Sequence, residues 1–260
     1  MRIQIKRYVF QGISICLALI LLAFPIFAGE AVSVEINGRY LYYKEPMLIH
    51  DTTYVGLCAF RNFLGDNGNT AISAREHTLS ASGRYIYSDS LCIEEGNEIY
   101  VPLRSLAALY RGTVAWDAET NTASVTIGEI RIPTADEVYE KEDLYWMSRI
   151  ISAESRGESL YGKLGVGSVI MNRVVSPDFP STIKAVIFDQ AYGPQFTPTV
   201  NGTVYDAPTE ESVTAAKMIL EGYRVSRSVL YFIYEAIATN KWTVNNRFYE
   251  FTIGCHDFYS

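Results

Sequence analysis

A chain of 260 residues in which 22 Lys and Arg face 29 Asp and Glu carries a formal net charge of −7. That sign opposes binding to nucleic acid or to an anionic membrane surface, both of which reward clustered basic side chains. Three histidines and four cysteines, with no CxxC or HExxH spacing among them, predict no catalytic metal and call for no cofactor.

In chain order, Arg2, Lys6 and Arg7 precede an almost wholly apolar run from Gly12 to Phe27, with small residues at Ala28 and Ala31. This is the layout of a secretory signal over residues 1–28. A membrane anchor is the alternative; the run is shorter than the roughly 20 residues a span needs, and Pro25 interrupts it. Either way the remainder is expected to work outside the membrane. Removing residues 1–28 takes away three basic and no acidic residues, which moves the formal net charge from −7 to −10.

Residues 32–129 read as a small β-rich domain. The segments VSVEI, RYLYY, TTYV, RYIYS, EIYVPL and ASVTI alternate apolar and polar residues between turn signals such as Asn37-Gly38 and Gly96-Asn97. Tyr54, Val55, Leu57 and Phe60 align with Tyr100, Val101, Leu103 and Leu106 at an offset of 46, which predicts a repeat of strand, short helix and hairpin. Cys58 and Cys92 lie in this half; the sequence leaves open whether they pair or stay free thiols.

Residues 130–142 form a charged linker containing Pro133 and a helix start at Thr134, followed by Asp136 and Glu137. Residues 143–260 then read as mainly helical. Leu144, Met147 and Ile151 recur at helical spacing, and Glu154 continues that inward stripe into glycine-rich chain. A carboxyl held against apolar surface loses hydration of its charged form, so its pKa rises and it can remain a proton donor near neutrality. Gly162, Gly165 and Gly167 weaken the next helix, which is tolerable where small residues admit a close neighbour. Asn201-Gly202 between two TV pairs predicts a hairpin. Thr209 is expected to cap a helix with Val213, Ala216 and Leu220 inward and Gly222 at its end.

The separated motifs AESRGES, GKLGVGSVIMNRVVSPDFPSTIKAVIF, a QF pair and a terminal IGCHDFY make the last 115 or so residues resemble the SleB-type cell wall hydrolases, the spore cortex-lytic enzymes. The resemblance implies a lysozyme-like fold, giving an α+β chain overall, and lytic transglycosylase chemistry on peptidoglycan glycan strands. It implies Glu154 as the catalytic acid and base, with Gln195, Phe196, Trp242 and His256 as the matching candidates for substrate binding. Each of those four has a plain structural alternative: loop support, core packing or a satisfied histidine. The segment YFIYEAIATNKW departs from the family, with Tyr234-Glu235 where an Asn-Pro is usual. Glu158 is the nearest second carboxylate and reads as a cap or a solvated residue.

The stretch YVPLRSLAALYRGTVAWDAETNTASVTIG resembles the small repeat domain named after the N-terminus of copper amine oxidases. His50 and His77 supply no ligand set for copper, so the module reads as non-catalytic, either a hold on a wall polymer or a spacer. Two rival readings of the whole chain stand beside the lytic enzyme: a wall-binding protein without catalysis, and a hydrolytic muramidase. A wall amidase is a weaker rival. Cys255 and His256 are neighbours, and adjacent residues of a strand point to opposite faces, which does not make a nucleophile and base.

Overall fold

The computed structural model describes residues 30–66, 70–236, 238 and 241–260. The predicted signal lies outside these residues. Among them, no helix is long and apolar enough to cross a membrane.

The N-terminal half opens with strands β1 (Glu30–Ala31), β2 (Ser33–Ile36), β3 (Arg39–Tyr40), β4 (Met47–Ile49) and β5 (Thr52–Gly56) and helix α1 (Leu57–Leu64). Strands β6 (Ser73–Arg75), β7 (Thr78–Ala81), β8 (Arg84–Tyr87), β9 (Ile93–Glu95) and β10 (Glu98–Pro102) lead to helix α2 (Leu103–Leu109) and strands β11 (Thr113–Asp117) and β12 (Thr122–Thr126). The sheets order as β1-β4-β5-β10-β9, β11-β12-β2-β3 and β6-β7-β8. All six segments expected as strands are strands over at least part of their length. In the antiparallel β5–β10 pair Val55 lies opposite Val101, its counterpart at the offset of 46, with Tyr54 opposite Pro102 and Gly56 opposite Tyr100 on either side. The core gathers Phe60, Val101, Leu103, Leu106 and Leu109, all at most 1% exposed, where α1 and α2 cover the sheets. Cys58 is exposed, Cys92 is half-buried, and both are free thiols.

The C-terminal half contains α3 (Ala135–Val138), α4 (Lys141–Ser155), α5 (Leu160–Val175), α6 (Ile183–Ile187), α7 (Thr197–Asn201), α8 (Glu210–Leu220) and α9 (Trp242–Asn246). It closes on a sheet ordered β13 (Tyr231–Ile233), β15 (His256–Tyr259), β14 (Tyr249–Ile253). Thr134 and Glu137 form a reciprocal capping box, and Thr209 accepts from the Ser212 amide. A second core, including Met147, Ile150, Ile151, Leu164, Ala216 and Ile219, sits among α4, α5 and α8. The close approach foreseen at the α5 glycines is made by side chains. A Cβ at Gly165 would lie 2.6 Å from the Phe258 ring, and one at Gly167 would lie 2.7 Å from Ile219.

Three expectations are corrected. Thr197–Asn201 is helical, because Pro198 in the first turn favours a helix start and Gly202, at φ 85°, ends it in the left-handed region. The Asn201 side chain then accepts from the Thr203 amide, so the Asn-Gly pair serves a helix end and no hairpin forms. On α8 the buried positions are Ser212, Ala215, Ala216, Met218 and Ile219, with Val213 and Leu220 half-buried. The helix packs against both α4 and α5, which rotates its inner face away from the single stripe foreseen. Cys255 lies in the β14–β15 turn, where it is exposed, while His256 is buried at the first position of β15.

The two halves meet along β8 and the end of α8. Arg84, wholly buried, donates from Nε to Glu221 at 2.7 Å and from Nη2 to the other oxygen at 2.8 Å, and also bonds the last carbonyls of α2 at Ala108 and Leu109. The Tyr139 hydroxyl donates to Glu221 at 2.7 Å, Lys217 to the Gly83 carbonyl at 2.8 Å, and the Tyr223 hydroxyl to Asp89 at 2.7 Å.

Candidate active site

Glu154 stands in the last turn of α4, one helical turn beyond the fully buried Ile150 and Ile151. Its backbone is fixed from below. Lys163, itself 1% exposed, donates to the carbonyls of Arg156 and Glu158 in the turn after α4 and pairs with Glu211 at 2.7 Å. Glu158, in the same turn, accepts from the Cys255 amide at 3.2 Å and so ties the β14–β15 turn to the end of α4. The sequence offered Glu158 as a cap or a solvated residue; it is a brace between two walls of the site.

A cleft of roughly 320 Å³ opens over Glu154, lined also by Arg173, Gln195, Phe196, Thr197, Phe232, Ile233, Tyr234 and His256. Glu154 is the one carboxylate among these lining residues. It is partly exposed as a residue because its tip meets the cleft, yet the surrounding atoms remove most of its hydration, and that desolvation pushes its pKa up to about 7. A carboxyl shifted this far retains its proton much closer to neutral pH than an ordinary glutamate does.

Arg173, at the end of α5, organises the opposite wall. It is 5% exposed, donates from Nε to the Leu230 carbonyl at 2.7 Å, and stacks its guanidinium over Phe179, Phe196 and Tyr231. Burial pulls its pKa down to about 10, which leaves it charged at neutral pH. A further bond of 3.2 Å from Nη1 to Gln195 Oε1 fixes the amide and turns its NH₂ end into the donor. Phe196 is 3% exposed and packs 6.2 Å from Phe232, so its ring supports the wall more than it meets the cleft. His256 is buried edge-on against Phe232 at 5.2 Å, and its Nδ1 has no hydrogen-bond partner. Desolvation lowers its pKa, against the weaker pull of Glu158 and Asp257, which keeps the ring neutral.

Glu154, Gln195, Phe196 and His256 thus share one cleft. Trp242 does not line it. Its half-exposed ring makes an edge contact with Tyr231 at 6.2 Å and carries the Arg247 guanidinium over one face at 4.9 Å, at the corner formed by β13 and α9. The sequence reading passed over Arg173, Phe232 and Tyr234 as site residues. Tyr234 carried a signal, since it stands where the chain departs from its family pattern. Arg173 carried little, standing near the end of an apolar helix. No group of three His, Cys, Asp or Glu placed to hold a metal occurs among the described residues.

Fold and site together define a helical domain that presents a single desolvated carboxyl, on a braced helix end, to an open polar cleft. Residues 157–259 match the family model of the cell wall hydrolases, which begins three residues after Glu154. A spore cortex-lytic enzyme of Bacillus cereus is 35% identical over 104 residues, 40% of this chain and 39% of that protein. One from Halalkalibacterium halodurans is 31% identical over 128 residues, 49% of this chain and 36% of that protein. The C-terminal half is therefore a cell wall hydrolase domain of the SleB type. The chain spans between a third and two-fifths of the length of these curated relatives. The solved catalytic domain of the germination-specific lytic transglycosylase SleB from Bacillus anthracis is 32% identical, with all of that chain and 50% of this one covered at a TM-score of 0.43.

Proposed function

We propose that this chain is a secreted peptidoglycan-cleaving enzyme, a lytic transglycosylase that cuts the bond between N-acetylmuramic acid and N-acetylglucosamine in spore cortex or cell wall, on a lysozyme-like domain. The observation that carries the proposal is the Glu154 carboxyl, held near pKa 7 by desolvation as the one carboxylate lining its cleft. Ordinary glycosidases divide the work between two carboxylates, one acid and one base or nucleophile. One acid suffices when the substrate supplies its own nucleophile.

Protonated Glu154 gives its proton to the bridging oxygen as the bond from muramic acid C1 breaks, and the glucosamine residue departs with a free hydroxyl. Positive charge develops at C1. The Glu154 carboxylate then takes the proton from the muramic acid C6 hydroxyl, whose oxygen closes on C1 to give a 1,6-anhydro sugar. Glu154 ends protonated and no water is consumed. The NH₂ of Gln195, oriented by Arg173, suits an N-acetyl carbonyl or a sugar hydroxyl, and Tyr234, 39% exposed, is placed to meet a ring.

The N-terminal half, in this proposal, is a non-catalytic module of two copies related by the offset of 46, with its boundary near residue 130. What supports the repeat is the facing of Val55 and Val101. Mass spectrometry of digested glycan tests the chemistry. Anhydro ends are expected; hydrated reducing ends alone would assign hydrolysis instead. No cleavage by either the parent or Glu154→Gln would leave a wall-binding protein.

A further inference from the structure

A second groove, of about 650 Å³, lies between the outer face of the β6-β7-β8 sheet and the start of α5. The strand register explains its floor. Ser73, Ser80 and Tyr85 form one cross-strand row, and Arg75, Thr78 and Tyr87 the next, all on one face. The alternate residues Leu79, Ala81 and Ile86 are buried in the N-terminal core. The other wall is Ser159, Leu160 and Tyr161, the last 40% exposed.

We propose that this groove, built jointly by the two halves of the chain, is a glycan-binding subsite that holds peptidoglycan strands next to the catalytic cleft; the proposal rests on the substrate class argued above. Its lining suits that class. Hydroxyls of Ser73, Thr78 and Ser80 offer both donors and acceptors to sugar hydroxyls, and Tyr161 offers a ring for the apolar face of a pyranose. Tyr85 and Tyr87 are held in place, the first by Lys217 at 5.3 Å, the second by Tyr223 at 4.5 Å and by the stacked ring of His77, itself part of the groove lining, at 5.5 Å. Arg75 and Glu76 balance each other in charge, so a groove on an acidic protein stays close to neutral, which suits a sugar backbone and disfavours a polyanion. Position supports the same occupant. Ser159 follows Glu154 by five residues, a span of at most about 18 Å even fully extended, so groove and cleft flank one short turn. The module then acts in catalysis on insoluble substrate by holding the strand, with no part in the chemistry.

The test uses the full chain with Glu154→Gln as the non-cleaving background, co-sedimented with purified insoluble peptidoglycan. Tyr161→Ala and Ser80→Trp, one trimming the wall and one filling the floor, are each expected to weaken binding by about three- to tenfold, the loss of one aromatic contact or its equivalent. In the active background they are expected to slow solubilisation of intact peptidoglycan while leaving turnover of short soluble fragments unchanged. Melting curves confirm that each variant folds, and Tyr161, being exposed, serves if Ser80→Trp does not. Binding that matches the parent in a folded variant overturns the proposal, as does a parent that does not sediment with peptidoglycan. A parent that binds through the groove and cleaves nothing overturns the proposed chemistry and leaves the subsite standing.

Discussion

Two glutamates, Glu221 just past the end of α8 and Glu154 in the last turn of α4, are both shielded from water, and they stand in opposite surroundings. Glu221, at the junction of the halves, is 4% exposed in its side chain and accepts from Arg84 through both oxygens and from Tyr139. Glu154, in the cleft, has no charge partner among the causes of its raised pKa. Burial alone does not mark a functional acid. A buried carboxylate whose oxygens are met by donors and a cation holds elements together; one left without such partners keeps its proton and has it to give.

The largest expected contrast is in activity. Glu154→Gln removes the transferable proton and is expected to lower the rate of peptidoglycan cleavage by about 10²- to 10⁴-fold, the usual contribution of general acid and base catalysis. Glu221→Gln, assayed below its own melting temperature, should retain turnover. Comparable loss in both variants, measured as dye release from labelled peptidoglycan, would dissolve the distinction.

Stability should divide the same two sites in the reverse sense. Arg84→Ala strands Glu221 in the interior and takes the side-chain donor from the Leu109 carbonyl at the end of α2, a loss on the order of 3–5 kcal/mol. Because Arg84 bridges both halves, the whole chain should melt earlier in a single transition by calorimetry. An early transition confined to the N-terminal half would show that the junction carries no such load.

How much of this was legible in the sequence follows from how far apart the partners are. Thr134 with Glu137, Thr209 with Ser212, and the stripe leading to Glu154 are local, within four residues, and helical spacing displays them. Arg84 and Glu221 are 137 residues apart, and nothing in either neighbourhood announces the other. Gln195 is visible as part of a motif, but the residue that orients it, Arg173, lies on α5, 22 residues earlier, while Gln195 is in a loop. The misread hairpin at Asn201-Gly202 arose from reading the pair without Pro198, which sets a helix in train before the glycine is reached. Trp242 was placed by motif alone, and motif gives no direction for a ring.

The smallest expected effect is also the sharpest probe of the comparison. Glu154 ionises near pH 7 in the folded chain and near its ordinary 4.5 when unfolded, so the folded state is the one that resists losing the proton. Its contribution is intact below pH 4.5 and is lost as pH rises through 7. A glutamine at this position cannot ionise and escapes that loss. The Glu154→Gln variant should therefore melt with the parent at pH 4.5 and be more stable above pH 8, by an amount approaching about 3 kcal/mol. Glu221→Gln should be less stable than the parent at pH 8, since it weakens the bonds from Arg84 and Tyr139. Denaturant titrations at the two pH values give the sign directly. If Glu154→Gln gained nothing at pH 8, the carboxyl would be hydrated in the folded chain, and the acid assigned to the cleft would have to be sought elsewhere.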